Sequence, residues 1–96
     1  MTNTDLITPS ELDDHLEGCP GWDLEGSQIC RTFTLETFME AIDFVRQIAG
    51  VAEEAGHHPD ISIRYNKVTL SLTTHSKGSL TRADFEVARR VDALRD

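Results

Sequence analysis

Basic side chains are scarce: nine Lys and Arg stand against 17 Asp and Glu, for a formal net charge of -8. Nucleic-acid binding depends on Lys and Arg displacing counterions from phosphates, so so acidic a chain is read as having no nucleic-acid partner. Long apolar runs are missing too. None approaches the roughly 18 residues of a membrane span, and the N-terminal "MTNTDLITPSE" lacks the basic-then-apolar layout of a secretory signal. The expectation is a soluble, cytoplasmic protein with no membrane partner. Cysteine is limited to Cys19 and Cys30 with no CxxC spacing, which argues against a disulfide framework or a thiolate zinc site and leaves two reduced, inert thiols. Repeats, low-complexity tracts and Pro-, Gly- or Ser-rich linkers are absent as well. With 96 residues the chain is read as one domain over 1–96, with 1–5 a flexible tail. At that size folding buries roughly 60 to 68% of the unfolded surface, enough for one modest core.

What is present is a run of legible start and stop signals. "TPSE" offers Thr8 as a helix N-cap, Pro9 at the first helical position and Glu11 as its capping-box partner. Leu12 and Leu16 follow one turn apart, and "GCPG" ends the helix. "GWDLEGSQICRTFTL" reads as a hairpin, with Trp22 and Leu24 alternating before a turn at Glu25-Gly26-Ser27 and Ile29, Arg31 and Phe33 alternating after it. A helix is expected from Thr34 to Ala55, capped by Thr34, with Phe38, Ile42, Val45, Ala49 and Ala52 on its apolar face and Gly56 in the left-handed position at its end.

A second hairpin occupies "DISIRYNKVTLSLTTH". A turn at Asn66-Lys67 pairs Tyr65 with Val68, Ile63 with Leu70 and Ile61 with Leu72, all apolar on one face, whereas a one-residue slip sets the isoleucines against hydroxyls. Continued outward, that register places His58 opposite His75 on the wetter face, with His57 pointing elsewhere on an extended chain unless the helix exit turns it back. Pro59 favours extension at His58. A last helix runs from Arg82 to Leu94, with Thr81 as cap, Asp84 reaching back to it, and Phe85, Val87, Ala88, Val91 and Leu94 as its apolar stripe. The order α-β-β-α-β-β-α predicts an α+β fold: a two-layer sandwich with a four-stranded antiparallel sheet and helices on one face.

Three of the four histidines, His57, His58 and His75, therefore gather at the base of one hairpin. Imidazole both donates and accepts protons near neutral pH, which suits general acid-base work. The pattern alone leaves other readings open. Histidines often end helices without further purpose. Zinc would accept this ligand set with Asp60 or Asp84, although no HExxH or CxxC spacing supports it. Glu53 can be a solvated helix carboxylate, Asp60 a turn residue, Asp84 a cap, Tyr65 core and Trp22 hairpin packing.

The run Glu53, His57-His58-Pro59, Tyr65, His75 and Asp84 resembles the signature of the pterin-4a-carbinolamine dehydratase family. The intervals are three residues from Glu53 to His57, five from Pro59 to Tyr65, nine from Tyr65 to His75 and eight from His75 to Asp84. "GW" near residue 21, "ICRTFTLETFMEAIDFVRQIAGVAEEAGHHPDI" and "YNKVTLSLTTHSKGSLTRADFEVARRVD" resemble the family too, from about Leu6 to the C-terminus. One departure is Ile61, where many relatives carry an aromatic residue. The resemblance implies a lyase that dehydrates 4a-hydroxytetrahydropterin to quinonoid dihydropterin, recycling the pterin of aromatic amino acid hydroxylases. It implies His57, His58 and His75 as catalytic residues, Glu53, Asp60 and Asp84 as substrate-binding residues, and neither metal nor bound cofactor. It also implies a homo-oligomer, dimer or tetramer, and allows a second reading: a non-catalytic binding, dimerisation or assembly factor on the same fold.

Overall fold

A computed structural model describes residues 7–95, so the tail expected at 1–5 lies outside the described residues. The first helix, α1 (Pro9–Glu17), begins as its sequence dictates. Thr8 Oγ1 accepts from the Glu11 N–H at 3.2 Å while Glu11 Oε1 accepts from the Thr8 N–H at 2.9 Å, a reciprocal capping box. Strands β1 (Asp23–Glu25) and β2 (Gln28–Thr34) form the first hairpin. Glu25, expected in the turn, is instead paired with Gln28, and Gly26 at φ 62° provides the left-handed residue of a two-residue loop. Helix α2 (Phe38–Ala55), strands β3 (Asp60–Arg64) and β4 (Lys67–Leu72), and helix α3 (Arg82–Arg95) complete the chain. The four strands form one antiparallel sheet in the order β1-β2-β4-β3, the expected α+β arrangement.

Alternation assigns the sheet faces. Ile29 and Phe33 of β2 pair with Leu72 and Val68 of β4, and with Leu70 they are buried in the core with Ala41, Phe44 and Ile48 of α2 and Phe85, Val87, Ala88 and Val91 of α3. Cross-strand pairs Thr32–Thr69 and Cys30–Ser71 occupy the opposite, polar face. Trp22 is the packing residue that the sequence suggested. It is buried edge-on to Phe33 at 6.2 Å, and its Nε1 donates to both carboxylate oxygens of Asp92 on α3 at 3.0 and 3.1 Å. Arg31 Nη1 donates to the same carboxylate at 2.7 Å, so Asp92 ties the sheet to α3. Burial, then the nearby Asp92 charge, pushes the Cys19 thiol above its usual range, which keeps it protonated and inert.

Further expectations need correcting. Helix α2 is capped by Thr37, not Thr34: Thr37 Oγ1 accepts from the Glu40 N–H at 3.1 Å, and Thr34 stays in β2 opposite Lys67. The buried stripe of α2 is Ala41, Phe44, Ile48 and Ala52, and Phe38 stays 45% exposed. This helix is apolar around more than one stripe, and the neighbour decides which is covered: Phe44 meets Phe33 at 4.9 Å. The second hairpin turns at Tyr65-Asn66, so Ile63 faces Val68 and Ile61 faces Leu70. Alternation with period two fixes only which residues share a face, and a shift of two residues keeps every one of them there. Asn66 selects between the two registers, since its Nδ2 donates to the Leu35 carbonyl at 2.8 Å and its own carbonyl accepts the Leu35 N–H at 2.8 Å. Tyr65, expected in the core, sits at the turn tip with φ 56° and 71% exposure.

The α1 cap carries a pH signature. The Thr8 N–H first, and then the Arg82 guanidinium 2.9 Å away, hold the Glu11 carboxyl below its usual 4.5. A depressed carboxyl contributes stability above the unfolded pKa, and that contribution is lost as pH falls through the folded value. Gln can still accept the Thr8 N–H, so Glu11→Gln removes mainly the charge. The melting-temperature gap between wild type and Glu11→Gln is expected at pH 7 and should close on acidification below 4.5; calorimetry across that range checks it.

Candidate active site

The end of α2 explains why the two adjacent histidines part. Gly56 adopts φ 66°, ψ 28°, and the His57 N–H donates back to the Ala52 carbonyl at 3.1 Å, which closes the helix in a Schellman motif. His57 is thereby fixed to the helix end. Its ring turns inward and Nε2 lies 2.5 Å from Asp84 Oδ1. His58 turns outward and back along α2, with Nε2 2.6 Å from Glu53 Oε2. Pro59 then leads directly into β3.

The two imidazole-carboxylate couples differ in setting. Asp84 is wholly buried and the His57 side chain 16% exposed, whereas His58 and Glu53 are 61% and 77% exposed. Asp84 sits in the first turn of α3. Its Oδ2 accepts the Thr81 N–H at 2.9 Å, the expected reach back to the cap, and also the Thr74 hydroxyl at 2.8 Å. A buried carboxylate requires such donors, because an unpaired charge away from water is costly. The exposed couple is screened by solvent and contributes little to stability.

His75 does not face His58. Strand β4 ends at Leu72 and Asp60 pairs with Ser71, so the sheet register does not extend to the two histidines. His75 opens an exposed 3₁₀ turn (His75–Lys77) that Gly78 closes at φ 67°. Its link to the buried couple runs through its neighbour Thr74, which bonds Asp84 and also bridges Ser79. Asp60 stands exposed at the start of β3, and among the described residues no hydrogen bond joins it or His75 to another histidine. No group of three His, Cys, Asp or Glu side chains among the described residues is arranged to hold a metal ion. Thr74 is the member that sequence reasoning missed as a partner of Asp84. A carboxylate expected beside an apolar stripe needs donors, and the flanking "TTH" and "SLTRAD" were the place to seek them.

Fold and side chains together define a class: a small α+β sandwich bearing imidazole-carboxylate couples suited to moving protons. The comparisons narrow it. The sequence model described as Pterin 4 alpha carbinolamine dehydratase matches residues 5–94. A relative from Roseiflexus sp. (strain RS-1) bearing the pterin-4-alpha-carbinolamine dehydratase name is 48% identical over 92% of this chain and 95% of its own. One from Chloroflexus aurantiacus (strain ATCC 29366 / DSM 635 / J-10-fl) is 49% identical, with the same coverage. Among solved structures, the transcriptional coactivator/pterin dehydratase from Brucella melitensis superposes with a TM-score of 0.86 at 36% identity, covering 92% of this chain and 96% of that one. A pterin dehydratase-like protein identified as a RuBisCO assembly factor in the alpha-carboxysome gives 0.62 at 26%, covering 76% and 84%. The chain belongs to the pterin 4 alpha carbinolamine dehydratase family.

Unequal burial yields an unequal expectation. Asp84→Ala strips His57, Thr74 and the Thr81 N–H of their common acceptor and should destabilise the fold by about 2 to 4 kcal/mol. Glu53→Ala should cost less than about 1 kcal/mol. Urea unfolding of the two variants checks the contrast, and equal losses would contradict it.

Proposed function

We propose that this chain dehydrates 4a-hydroxytetrahydropterin to quinonoid dihydropterin by histidine acid-base catalysis, without metal or bound cofactor, in the cytoplasm. His57, His58 and His75 exchange the protons, while Glu53, Asp60 and Asp84 orient imidazoles or hold the amide and amino groups of the pterin. The reading rests above all on the buried Asp84–His57 couple in a member of the dehydratase family. The 4a-hydroxyl leaves as water only when its oxygen gains a proton, and the new double bond forms as the ring nitrogen loses one. One imidazole gives a proton and another takes one, so the site ends each cycle with its proton count unchanged. The source of such a substrate is a hydroxylase that leaves oxygen on the pterin ring, as the aromatic amino acid hydroxylases do.

A homo-oligomer fits the exposed edge of β3. The two-residue turn makes Arg64–Lys67 a hydrogen-bonded pair, so the backbone groups of Ile61 and Ile63 point away from β4 toward the free edge. Two copies joined antiparallel about Ser62 would set Ile61 against Ile63 and Asp60 against Arg64 on both sides of the axis. Arg64→Asp is expected to shift sedimentation toward monomer, and adding Asp60→Arg to restore the assembly; an unchanged sedimentation coefficient in the single variant rules out this pairing.

A second reading, an assembly or binding factor, draws on the likeness to the carboxysome protein. Activity separates the two. Carbinolamine generated chemically or by a hydroxylase, followed spectroscopically with chelator present, should decay faster with the protein, and each of His57→Ala, His58→Ala and His75→Ala should slow the catalysed rate by about 10² to 10⁴. No acceleration by the wild type would leave the binding reading in place.

A further inference from the structure

Accounting for the hydrogens around Asp84 yields more than a static pair. Thr74 Oγ1 lies 2.8 Å from Asp84 Oδ2 and 2.9 Å from Thr81 Oγ1. A hydroxyl has one hydrogen to give. With the Thr74 hydrogen given to the carboxylate, the Thr81 hydroxyl must be the donor to Thr74, and Thr81 Oγ1 accepts in turn from the Ala83 N–H at 3.3 Å. The chain of donors thus has one direction: Ala83 N–H to Thr81, Thr81 to Thr74, Thr74 to Asp84. Thr81 is 2% exposed and Asp84 fully buried, while Thr74 between them is half-buried.

That direction bears on the ring at the other end. Oδ2 already accepts twice, from Thr74 and from the Thr81 N–H, an arrangement suited to a carboxylate that accepts on both oxygens. The hydrogen between Asp84 Oδ1 and His57 Nε2 then belongs to the ring. Nδ1 makes no hydrogen bond among the described residues. No buried side-chain nitrogen or oxygen among them lacks a partner, so Nδ1 is open to solvent.

We infer that Thr74 and Thr81 are positioning residues that, through Asp84, keep Nε2 of His57 a permanent donor, and that His57 exchanges protons with substrate only through Nδ1. Neutral His57 accepts a proton at Nδ1, and the imidazolium releases it from the same atom; Nε2–H is unchanged in both. The backbone of Thr74 also accepts from the Lys77 and Gly78 N–H groups at 3.0 and 2.9 Å. One residue therefore sets His57 through its side chain and anchors the turn carrying His75 through its main chain.

The proton-exchange half of this inference rests on the dehydratase reading, but the ring state does not, and nitrogen-15 NMR reads the latter directly. In the folded wild-type protein, neutral His57 should appear as the Nε2–H tautomer alone. Thr74→Val keeps the shape but removes one donor from Oδ2 and the acceptor of Thr81. It should give mixed tautomers and a kcat lowered about 10- to 100-fold with KM within about twofold, and Thr74→Ser should restore both. A purely structural Thr74 would change the melting temperature and leave tautomer and kcat as they were. An Nδ1–H tautomer in the wild type, or wild-type tautomer and kcat in folded Thr74→Val, overturns the inference. The wild-type spectrum decides the ring state even where a variant fails to fold. A wild type with the Nε2–H tautomer and no dehydration would sink the dehydratase reading while supporting the relay.

Discussion

Everything at this site depends on one buried carboxylate. Asp84 has no exposed surface, and a charge so placed is tolerable only with donors on both oxygens. Meeting that demand draws together three separate parts of the chain. The C-terminal exit of α2 supplies His57, the segment after β4 supplies Thr74, and the residue just before α3 supplies the Thr81 N–H. The fold's layers make this convergence possible: α2 and α3 pack side by side over the sheet, so the end of one lies near the start of the other. The interaction that caps α3 is therefore the same one that orients an imidazole.

The outer couple follows a different logic. His58 and Glu53 are both largely exposed, and solvent screening leaves their contact little effect on stability. Exposure also leaves them free to meet a ligand. The site thus joins a largely buried couple with several hydrogen bonds to an exposed one. His75, at the start of an exposed 3₁₀ turn, shares features of both, since its own ring makes no hydrogen bond among the described residues while its neighbour Thr74 is bonded to the buried carboxylate.

The sequence was most legible where a signal is local. Thr8-Pro9-Ser10-Glu11 opened α1 as expected, Gly56 closed α2, and the alternation of Val68, Leu70 and Leu72 placed β4 with its apolar face inward. It was least legible where two answers satisfy the same pattern. Both hairpin registers keep Ile61 and Ile63 on one face, and the bonds between Asn66 and Leu35, remote in sequence, accompany the observed one. That difference of two residues removed the expected facing of His58 and His75. The inward turn of His57 was hidden for a related reason: a left-handed Gly56 re-aims the chain, so strand parity no longer says where the next side chain points. Thr74 drew no reading from the sequence, because strand alternation does not reveal which buried acid needs its hydrogen.

The central claim is that the Asp84–His57 couple moves protons on a pterin. The most direct measurement is the steady-state decay of 4a-carbinolamine with Asp84→Asn, which keeps the side chain's shape and removes its charge. The expected result is a folded protein whose kcat is at least about 100-fold below wild type. A folded Asp84→Asn protein with wild-type kcat would contradict the account.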